Sequence, residues 1–590
     1  MVAPPSSGGT LSGGGSFMRG DSEAPKTPRG QTRVSPGSVT PTERTVLLEA
    51  PSSRHAPLAK NLPRVGPRPP RAPGPIPAPR GGRHPASDHK LAYGNLVYVM
   101  RKYEWKPRDD FRNRSRDLAQ LDAWWDHSTR DALALVGRRR VGKSWLLRRF
   151  AHGKPAIILV ADEVLTTTQM ARFADELESH MGIRPSLPDV PTLIRLLYQL
   201  GREGKVLAVI DEFPLLLPDR REERREVLSE IQAVMETHRD ESLTKLVFCG
   251  SLVGQMEALL HAESPLHGRL RQLDIWPMTF AESRDFTDPS DTAAQSIERF
   301  AVVGGMARHL SELGKGPLRE VVCAKVLDRS GPLFNDPRTV LEHELRNPAT
   351  YFSLLEELAG NSALTEHLTN KLQTSSSALS PYLDRLREMR LITSSKPVGA
   401  PDRSRTHKHR VSDGLVRFWF RFVFPNQEGL QSGLRAEDLW DADIAPFLAG
   451  FVAPSYEELC IRYTRIAYGR EAPLVGSWWG PALDKHRRNK DRFTEEIDIV
   501  AAQRRNLRIV GECKWTAGAM TPSVLDDLRA YKIPALAQDQ NLRVPATGPK
   551  IVLFARSGFD PALQAEADSD KNVILVDLDS LVSIVRSEDN

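Results

Sequence analysis

The segment GRRRVGKS, residues 137–144, has the spacing of a loop that binds nucleotide phosphates. In the pattern G-x-x-x-x-G-K-[ST], the glycines let backbone N–H groups close around the phosphates, and the N-terminus of the following helix adds a positive dipole. Lys143 would reach the β- and γ-phosphates, and the hydroxyl of Ser144 would hold Mg²⁺. The predicted nucleotide-binding residues of this loop are Gly137, Arg138, Arg139, Arg140, Val141, Gly142, Lys143, Ser144 and Trp145.

Polar residues also follow two later apolar segments. The segment LAVIDE ends with Asp211 and Glu212. Asp211 is predicted to position magnesium, and Glu212 is predicted to orient the attacking water in hydrolysis of the nucleotide. Two carboxylates at an exposed strand end would be the simpler interpretation without the loop upstream. LVFCGS ends in Ser251, which resembles the sensor position of AAA-type ATPases, where a polar group contacts the γ-phosphate. Arg269 and Arg271 are candidate arginines acting on a neighbouring site, or alternatively solvated charges of a helix.

A second set of chemically capable residues lies in EIDIVAAQRRNLRIVGECKW, residues 496–515. A hairpin turning about Arg505 would place Asp498 opposite Glu512, with Lys514 on the same strand face as Glu512. Asp498 and Glu512 are predicted to hold a divalent cation and Lys514 to steady the attacking water. Glu457, on a predicted helix upstream, is a further candidate metal ligand. The alternative is a solvated ribbon face, or a carboxylate–lysine pair without metal.

The elements that would position these residues alternate between strand and helix. Four short apolar runs have the character of buried strands, and helical patterns lie between them, so we expect a parallel α/β sheet. The runs are ALALVG (132–137), KPAIILVAD (154–162), KVLAVIDEFPLLL (205–217) and TKLVFCGS (244–251). Residues 413–590 are predicted to form a second α/β domain containing the hairpin.

Between these regions, residues 316–412 have the pattern of a winged helix, which is three helices followed by a basic hairpin. Leu379, Leu383, Leu386 and Met389 mark one apolar face of the third helix. Basic residues on this helix and hairpin suit contacts with nucleic-acid phosphates. They are Arg385, Arg387, Arg390, Arg403, Arg405, Lys408 and Arg410. Winged helices also serve as protein-docking or spacer modules, and that alternative stays open.

The net charge of +6 is concentrated in one part of the 590-residue chain. Residues 1–90 hold 13 Lys and Arg against 5 Asp and Glu, whereas the rest holds 68 against 70. Residues 1–92 are rich in Pro, Gly and Arg, so we expect a disordered arm. The four cysteines show no CxxC pair, and we expect small buried side chains. No apolar run approaches bilayer length and no signal peptide is evident, which predicts a cytoplasmic protein without membrane contact.

Several segments, taken in order, resemble the archaeal-type family of P-loop ATPases, which is similar to AAA+ and STAND proteins. These segments are FRNRSRDLAQL, GRRRVGKSWLL, VIDEFPLL, CGSLVGQMEALL, SPLHGRL and GGMARHL. HRVSDGLVRFWFRFVFPN, GSWWG, EEIDIV and ECKW look like DUF234, a domain often fused to that family, and the D…ExK spacing resembles PD-(D/E)XK nucleases. Two departures are Ser144, where Thr is frequent, and GGMARHL, where Gly-Gly-x-Pro is common.

The resemblance implies ATP and Mg²⁺ as ligands and an ATPase domain with a helical lid at 108–315. A winged helix at 316–412 and a nuclease-like domain at 413–590 would follow. The predicted function is an ATPase whose nucleotide state controls a DNA- or RNA-binding, potentially nucleolytic domain. The alternative is a non-nucleolytic switch that binds a protein partner, and homo-oligomers are compatible with either.

Overall fold

The computed structural model describes residues 111–128, 131–345, 347–360, 362–401, 403–404, 406–483, 494–539 and 541–587. The predicted disordered arm, residues 1–92, and Arg405 of the predicted wing lie outside the described residues. The described residues all belong to one compact unit. Three sheets organise the described part of this unit.

The first sheet is parallel with strand order β2-β3-β4-β1-β5, which confirms the predicted α/β core. Its strands are β1 (Ala132–Val136), β2 (Ala156–Val160), β3 (Val206–Asp211), β4 (Thr244–Gly250) and β5 (Leu270–Asp274). The helices around it are α1 (Ser115–Asp126), α2 (Lys143–Ala151), α3 (Thr166–Met181), α4 (Val190–Leu200), α5 (Arg221–His238) and α6 (Val253–Ala258).

Both faces of this sheet are covered, which explains why its strands read as continuous apolar runs. In β1, Ala134 and Val136 face one core while Leu133 and Leu135 face the other. Alternate side chains of a strand point to opposite faces, so both sets must be apolar when both faces are buried. The carboxyl ends of the strands therefore carry the first polar residues, and the site lies there.

Strand β5 corrects one expectation from the sequence. Arg271 lies in this edge strand rather than in a helix, because the backbone pairs with β1 from Ala132↔Leu270 to Val136↔Asp274. Gly268 has φ of 73°, a left-handed conformation that ends the preceding turn and allows the strand to begin. Two helices follow, α7 (Ala293–Val303) and α8 (Ala307–Leu313), and we call them the lid because the sequence predicts a helical lid in this region.

The middle region begins with two helices, α9 (Leu318–Val322) and α10 (Asp336–Glu344). Three helices and three short strands follow them. The six are α11 (Pro348–Gly360), β6 (Ala363–Leu364), α12 (Thr365–Lys371), α13 (Ser376–Glu388), β7 (Ile392–Ser395) and β8 (Lys408–Val411). The strands pair antiparallel in the order β6-β8-β7. The predicted apolar face of α13 is buried.

The C-terminal region is built on a mixed sheet of order β13-β12-β11-β10-β9. The hairpin β10–β11 and strand β9 are antiparallel, whereas β12 and β13 run parallel to β11. The strands are β9 (Leu474–Pro481), β10 (Thr494–Gln503), β11 (Asn506–Lys514), β12 (Lys550–Ala555) and β13 (Val573–Val576). The helices are α14 (Gly414–Phe418), α15 (Gln427–Ser432), α16 (Ala436–Leu439), α17 (Leu448–Tyr468), α18 (Ser523–Asp527), α19 (Ile533–Gln538), α20 (Pro561–Ser569) and α21 (Leu578–Ser587).

One continuous helical stretch, Ala436–Tyr468, is long and apolar enough by length and composition to cross a bilayer, with a mean hydropathy of 1.2. The expectation that no run reaches this length missed it, because prolines and charged residues interrupt the apolar pattern. Val452, Tyr456 and Cys460 of this stretch are fully buried in a core of the protein. The core helix of a globular protein meets the same test. All four cysteines are buried and unpaired, which confirms that expectation.

The lid and the C-terminal region meet through two glycines. A Cβ at Gly414, the first residue of α14, would lie 2.6 Å from the backbone nitrogen of Gly304 and 2.8 Å from the carbonyl oxygen of Ala301. Real Cβ atoms do not approach backbone so closely. The first turn of α14 is therefore packed against the end of α7 as closely as backbone allows.

We expect Gly414→Ala to lower the free energy of unfolding by about 1–3 kcal/mol, the usual effect of overpacking. The added methyl group would force the lid and α14 apart. The midpoint of urea unfolding followed by tryptophan fluorescence measures the change. Gly450→Ala is the control, because that helical glycine has no atom within 4 Å of its Cβ position and should gain about 0.5–1 kcal/mol. Equal behaviour of the two variants would contradict the close contact.

Candidate nucleotide site and second acidic site

A cavity of about 470 Å³ lies beside residues 137–144, which we call the P-loop. Its walls include seven of the nine predicted loop residues, from Arg139 to Trp145, together with Glu212 and Ser251. Gly137, Arg138 and Asp211 do not line the cavity. The structure thus gathers most of the predicted nucleotide-binding residues around one space.

Two glycines of the P-loop occupy backbone positions that a residue with a Cβ could not take without strain. A Cβ at Gly137 would lie 2.7 Å from the carbonyl oxygen of Ile275, and Gly142 has φ of 101°. Lys143 begins α2, and its ammonium group donates to the carbonyl oxygens of Gly137 at 2.8 Å and Arg138 at 3.1 Å. The lysine predicted to bind phosphates is therefore bound by its own loop.

The predicted magnesium ligands and the predicted catalytic base are also engaged with protein groups. The Ser144 hydroxyl donates to Asp211 Oδ2 at 2.6 Å, so the two oxygens that would hold Mg²⁺ are already adjacent. Glu212 Oε2 accepts from the Ser251 backbone N–H at 2.9 Å and from its hydroxyl at 2.8 Å. Ser251 thus holds the carboxylate that would orient water. Its predicted contact with the γ-phosphate remains a prediction.

Sequence reasoning missed several residues of the cavity. Arg308 and Glu312, on the lid helix α8, line it, and so do Phe111 and Arg114 before the first strand. Arg114 donates to the carbonyl oxygens of Val141 at 2.6 Å and of Trp276 at 2.7 Å, which fixes the P-loop against the end of β5. No spacing in the sequence connects Arg308 with the P-loop, because the docking of α8 places it beside the cavity.

The two arginines considered as candidates for action on a neighbouring site do not line this cavity. Arg269 Nε donates to Glu236 on α5 at 2.8 Å, and Arg271 lies on the outer edge of the sheet. Their role toward another molecule stays a prediction.

Two P-loop arginines contact carboxylates from later parts of the chain. Arg138 Nη1 donates to Asp413 Oδ2 at 2.8 Å, and both side chains are at most 5% exposed. Burial alone would raise the pKa of Asp413. The Arg138 guanidinium, and the hydrogen bond that the Val416 N–H donates to Asp413, hold this pKa below its ordinary value. Arg140 pairs with Asp336 at the start of α10.

The same Asp336 carboxylate also contacts the lid. Its Oδ2 lies 3.0 Å from His309 Nε2. Burial lowers the pKa of His309 to about 4, so the imidazole is neutral at physiological pH. The P-loop, the lid and α10 thus meet at one buried carboxylate.

The predicted residues of the C-terminal hairpin also lie together. β10 and β11 pair from Gln503↔Asn506 to Ile499↔Gly511, and one further step brings Asp498 level with Glu512. A register shift against β9 between Ile497 and Val500 falls at Asp498, and such bulges re-aim side chains. Asp498 Oδ2 accepts the Cys513 N–H at 2.9 Å.

Glu512 is 2% exposed and is bound by two lysines. Lys514 donates to Oε2 at 3.0 Å, and Lys532, which the sequence analysis did not select, donates to Oε1 at 2.6 Å. We call Asp498, Glu512, Lys514 and Lys532 the acid–lysine cluster. No spacing signal connects Lys532 with the hairpin, because a helical segment 18 residues further along supplies it.

The carboxylates of this region repel one another. Burial, Glu512 and Glu457 raise the pKa of Asp498 to about 8. Burial and Glu496 likewise raise the pKa of Glu457, which lies on α17 as predicted. Within the described residues, no group of three or more His, Cys, Asp or Glu side chains is arranged to hold a metal ion, so the three predicted carboxylates do not converge. Mg²⁺ needs only one or two carboxylates plus phosphate oxygens, which the pair Asp498 and Glu512 fits.

Most basic groups predicted to contact nucleic acid are paired with carboxylates instead. Arg390 donates to Asp274 at 2.5 Å and lies 3.8 Å over the Trp276 ring. Lys408 pairs with Glu496 at 2.6 Å. The remaining pairs join Arg410 with Glu458, Arg385 with Glu388 and Arg387 with Asp384, while Arg403 is exposed. Their contact with nucleic-acid phosphates stays a prediction, and it would require these residues to leave or share their carboxylate partners.

Two parts of the chain match known protein families. Residues 111–313 match the model of an ATPase domain found predominantly in Archaea, so this part of the chain is a P-loop ATPase domain of the archaeal type. Residues 419–525 match DUF234, which describes archaeal and bacterial proteins of unknown function. The chain thus carries the archaeal-type ATPase domain followed by DUF234, as the resemblance indicated, and this family implies nucleotide binding.

Similar individual proteins come from Archaea. An uncharacterized protein of Methanocaldococcus jannaschii is 26% identical over 413 residues, which cover 69% of this chain and 87% of that protein. A Walker-type ATPase of Pyrococcus abyssi is 19% identical, with a TM-score of 0.38 over 54% of this chain and 99% of its own. The ORC2 protein of Aeropyrum pernix is 13% identical, with a TM-score of 0.32 over 54% and 95% of the two chains.

We expect Asp498→Asn to become more stable than the wild type as the pH rises from about 4 to about 8. In this window the folded protein keeps a proton on Asp498 that the unfolded chain, with an ordinary pKa of about 3.9, releases. Asp498 therefore stabilises less with every step upward in pH, by about 1.4 kcal/mol per unit at most, and asparagine does not titrate. Urea unfolding at pH 5.5, 7 and 8.5 measures the difference, with the exposed Asp568→Asn as control. Parallel pH curves would contradict the buried acid.

Proposed function

We propose that the protein is a Mg²⁺-dependent ATPase whose nucleotide state controls its C-terminal region. The observation that carries the proposal is the buried ion pair between Arg138, inside the P-loop, and Asp413, at the N-terminus of α14. It links the loop that would hold the phosphates directly to the chain that enters the DUF234 region.

The arrangement of the nucleotide cavity supports hydrolysis as well as binding. Ser144 and Asp211 would hold Mg²⁺, which supplies charge neutralisation at the phosphates. Lys143 would leave the carbonyl oxygens of its own loop to bind the β- and γ-phosphates. Glu212, held by Ser251 at the end of β4, would orient the attacking water. A cytoplasmic location and an ATP-linked homo-oligomer are compatible with this proposal.

The coupling follows from the cost of leaving a buried charge alone. Removing one partner of a buried pair typically costs about 3–5 kcal/mol, because the other charge stays in a poorly solvated site. Lys143 and Arg138 share a loop, so a nucleotide that moves Lys143 also moves the backbone next to Arg138. Asp413 caps α14 by accepting the Val416 N–H at 3.1 Å, and Gly414 packs on the lid. A movement of Arg138 would therefore be transmitted to α14 and the lid.

We assign 108–315 to the ATPase domain, 316–412 to a winged helix and 413–590 to a nuclease-like domain. The sheet order β6-β8-β7 behind helix α13 supports the winged helix. The helix α17 before a hairpin and two parallel strands supports the nuclease-like assignment. In this assignment the wing lies on the C-terminal domain through Lys408 and Arg410.

The acid–lysine cluster supports a second candidate function, metal-dependent cleavage of DNA or RNA. Asp498 and Glu512 would hold the cation, and Lys514, which is 38% exposed, would steady the attacking water. Glu457 is close enough to Asp498 to raise its pKa and would approach the metal after a side-chain movement. The competing function is a non-nucleolytic switch for a protein partner. The pairing of Arg390, Lys408 and Arg410 with carboxylates favours that alternative.

For the ATPase, we expect Lys143→Ala to lose nucleotide binding and Glu212→Gln to retain binding. Hydrolysis by Glu212→Gln should fall about 10²–10⁴-fold, the usual contribution of a positioned base. Calorimetry with ATP and a phosphate-release assay separate the two effects. Lys154→Ala serves as control, since that lysine of the same loop-helix region donates to the Phe150 carbonyl oxygen away from the cavity. Wild-type hydrolysis by Glu212→Gln would exclude the proposed role of Glu212.

For the coupling, we expect Asp413→Asn to bind ATP but to lose the ATP-dependent change in amide exchange at residues 414–418. Asparagine caps helices as well as aspartate does, so the change removes the ion pair and keeps the cap. Hydrogen exchange with and without ATP makes the measurement. The matched control is Asp441→Asn, because Asp441 pairs with Arg319 at the exposed surface. An unchanged ATP response in Asp413→Asn would refute the proposed route.

For cleavage, we expect wild-type protein with Mg²⁺ or Mn²⁺ to cut labelled single- or double-stranded DNA or RNA, and Asp498→Ala to lose this activity. Running Lys143→Ala beside it, with and without ATP, shows whether the nucleotide gates cutting. Asp568→Ala, at an exposed position, controls for non-specific effects. Absence of cleavage on every substrate would exclude the nucleolytic function.

A further inference from the structure

Lys532 is buried beside the acid–lysine cluster, whereas most lysine side chains in proteins are exposed to solvent. Its side chain is 9% exposed and ends 2.6 Å from Glu512 Oε1. It is the last residue of a π-helical turn, Leu528–Lys532, between α18 and α19. Single π-helical turns within helices are frequently found at functional sites. The same turn carries Arg529, which points elsewhere and binds Glu566 and Asp570.

The contact uses an oxygen that a metal ion would also need. Lys514 already neutralises Glu512 through Oε2, so Lys532 is a second ammonium group on one carboxylate. A divalent cation on Glu512 would repel Lys532 and take its place at Oε1. The displaced ammonium group, in a poorly solvated position, then needs another anion.

We propose that Lys532 is a phosphate-binding residue of the acid–lysine cluster, which Glu512 binds until a divalent cation displaces it. This inference rests on the proposed nucleic-acid function. The anion that takes over Lys532 is a backbone phosphate of DNA or RNA, approaching between Lys532 on the helical side and Lys514 on β11. The contribution of Lys532 to nucleic-acid affinity therefore depends on the presence of the cation.

The test is the affinity of the full chain for a labelled DNA duplex, measured by fluorescence anisotropy in EDTA and in Ca²⁺. Ca²⁺ is a hard cation that carboxylates bind. Lys532→Met should weaken binding about tenfold in Ca²⁺, the loss of one hydrogen bond to a charged group, and leave binding in EDTA unchanged. Arg529→Met is the matched control from the same turn and should leave the ratio of the two affinities unchanged.

A second pair of variants tests, in the absence of metal, whether Lys532 moves from Glu512 to a DNA phosphate. These variants leave no buried carboxylate without a partner. Glu512→Gln removes the charge that binds Lys532, so this variant should bind DNA in EDTA about tenfold more tightly than the wild type. The double variant Glu512→Gln with Lys532→Met should lose that gain. Circular dichroism and the unfolding midpoint establish that each variant is folded.

Equal losses for Lys532→Met in EDTA and Ca²⁺ would make Lys532 a general electrostatic contributor and overturn the exchange. No loss in either condition would make it a structural partner of Glu512. Both results leave the nucleic-acid function standing, because the wild type binds. A wild type that binds no nucleic acid in either condition would end both the proposed nucleic-acid function and the role of Lys532.

Discussion

The buried ion pair between Arg138 and Asp413 joins the phosphate-binding loop to the chain that follows the lid. Each of these ions loses several kcal/mol of hydration when buried, and only its partner offsets that loss. Separating the two would leave a buried charge without compensation. Asp413 is at the same time the cap of α14, and its neighbour Gly414 packs against the backbone of Gly304. The Arg138–Asp413 pair and the Gly414 contact therefore join the loop and the lid to the chain that enters the DUF234 region.

The three consecutive arginines of the P-loop show how this constraint is distributed. Arg138 turns inward to Asp413, Arg139 lines the nucleotide cavity, and Arg140 turns to Asp336. Arg140 has φ of 73°, a conformation that costs a residue with a Cβ about 1–2 kcal/mol. The surrounding contacts must offset that cost. The loop is thus shaped by carboxylates far along the chain as well as by its glycines.

The sequence predicted what depends on local pattern and failed where the contact is distant. The parallel sheet, the P-loop and the hairpin with Asp498 near Glu512 follow from apolar runs, glycine spacing and strand alternation. Arg138 was read as a nucleotide contact because its motif position suggests it, but Asp413 lies 275 residues away. Lys532 and Arg308 were missed for the same reason, since helix docking places them. The acidic partners of the wing were not predicted, because Glu496 lies on β10 and Glu458 on α17, both far along the chain.

The two sites hold their lysines by different partners, and this difference sets what each site requires. Lys143 is bound by carbonyl oxygens, which carry no net charge, so a phosphate can replace them without leaving a buried ion behind. Lys532 is bound by the Glu512 carboxylate, and a phosphate that took it alone would bring a second negative charge beside that carboxylate. Like charges in a poorly solvated site repel strongly, so this exchange needs a cation at the same moment. In the proposed function, the first site would therefore respond to nucleotide alone, whereas the second would respond only to a phosphate and a divalent cation together.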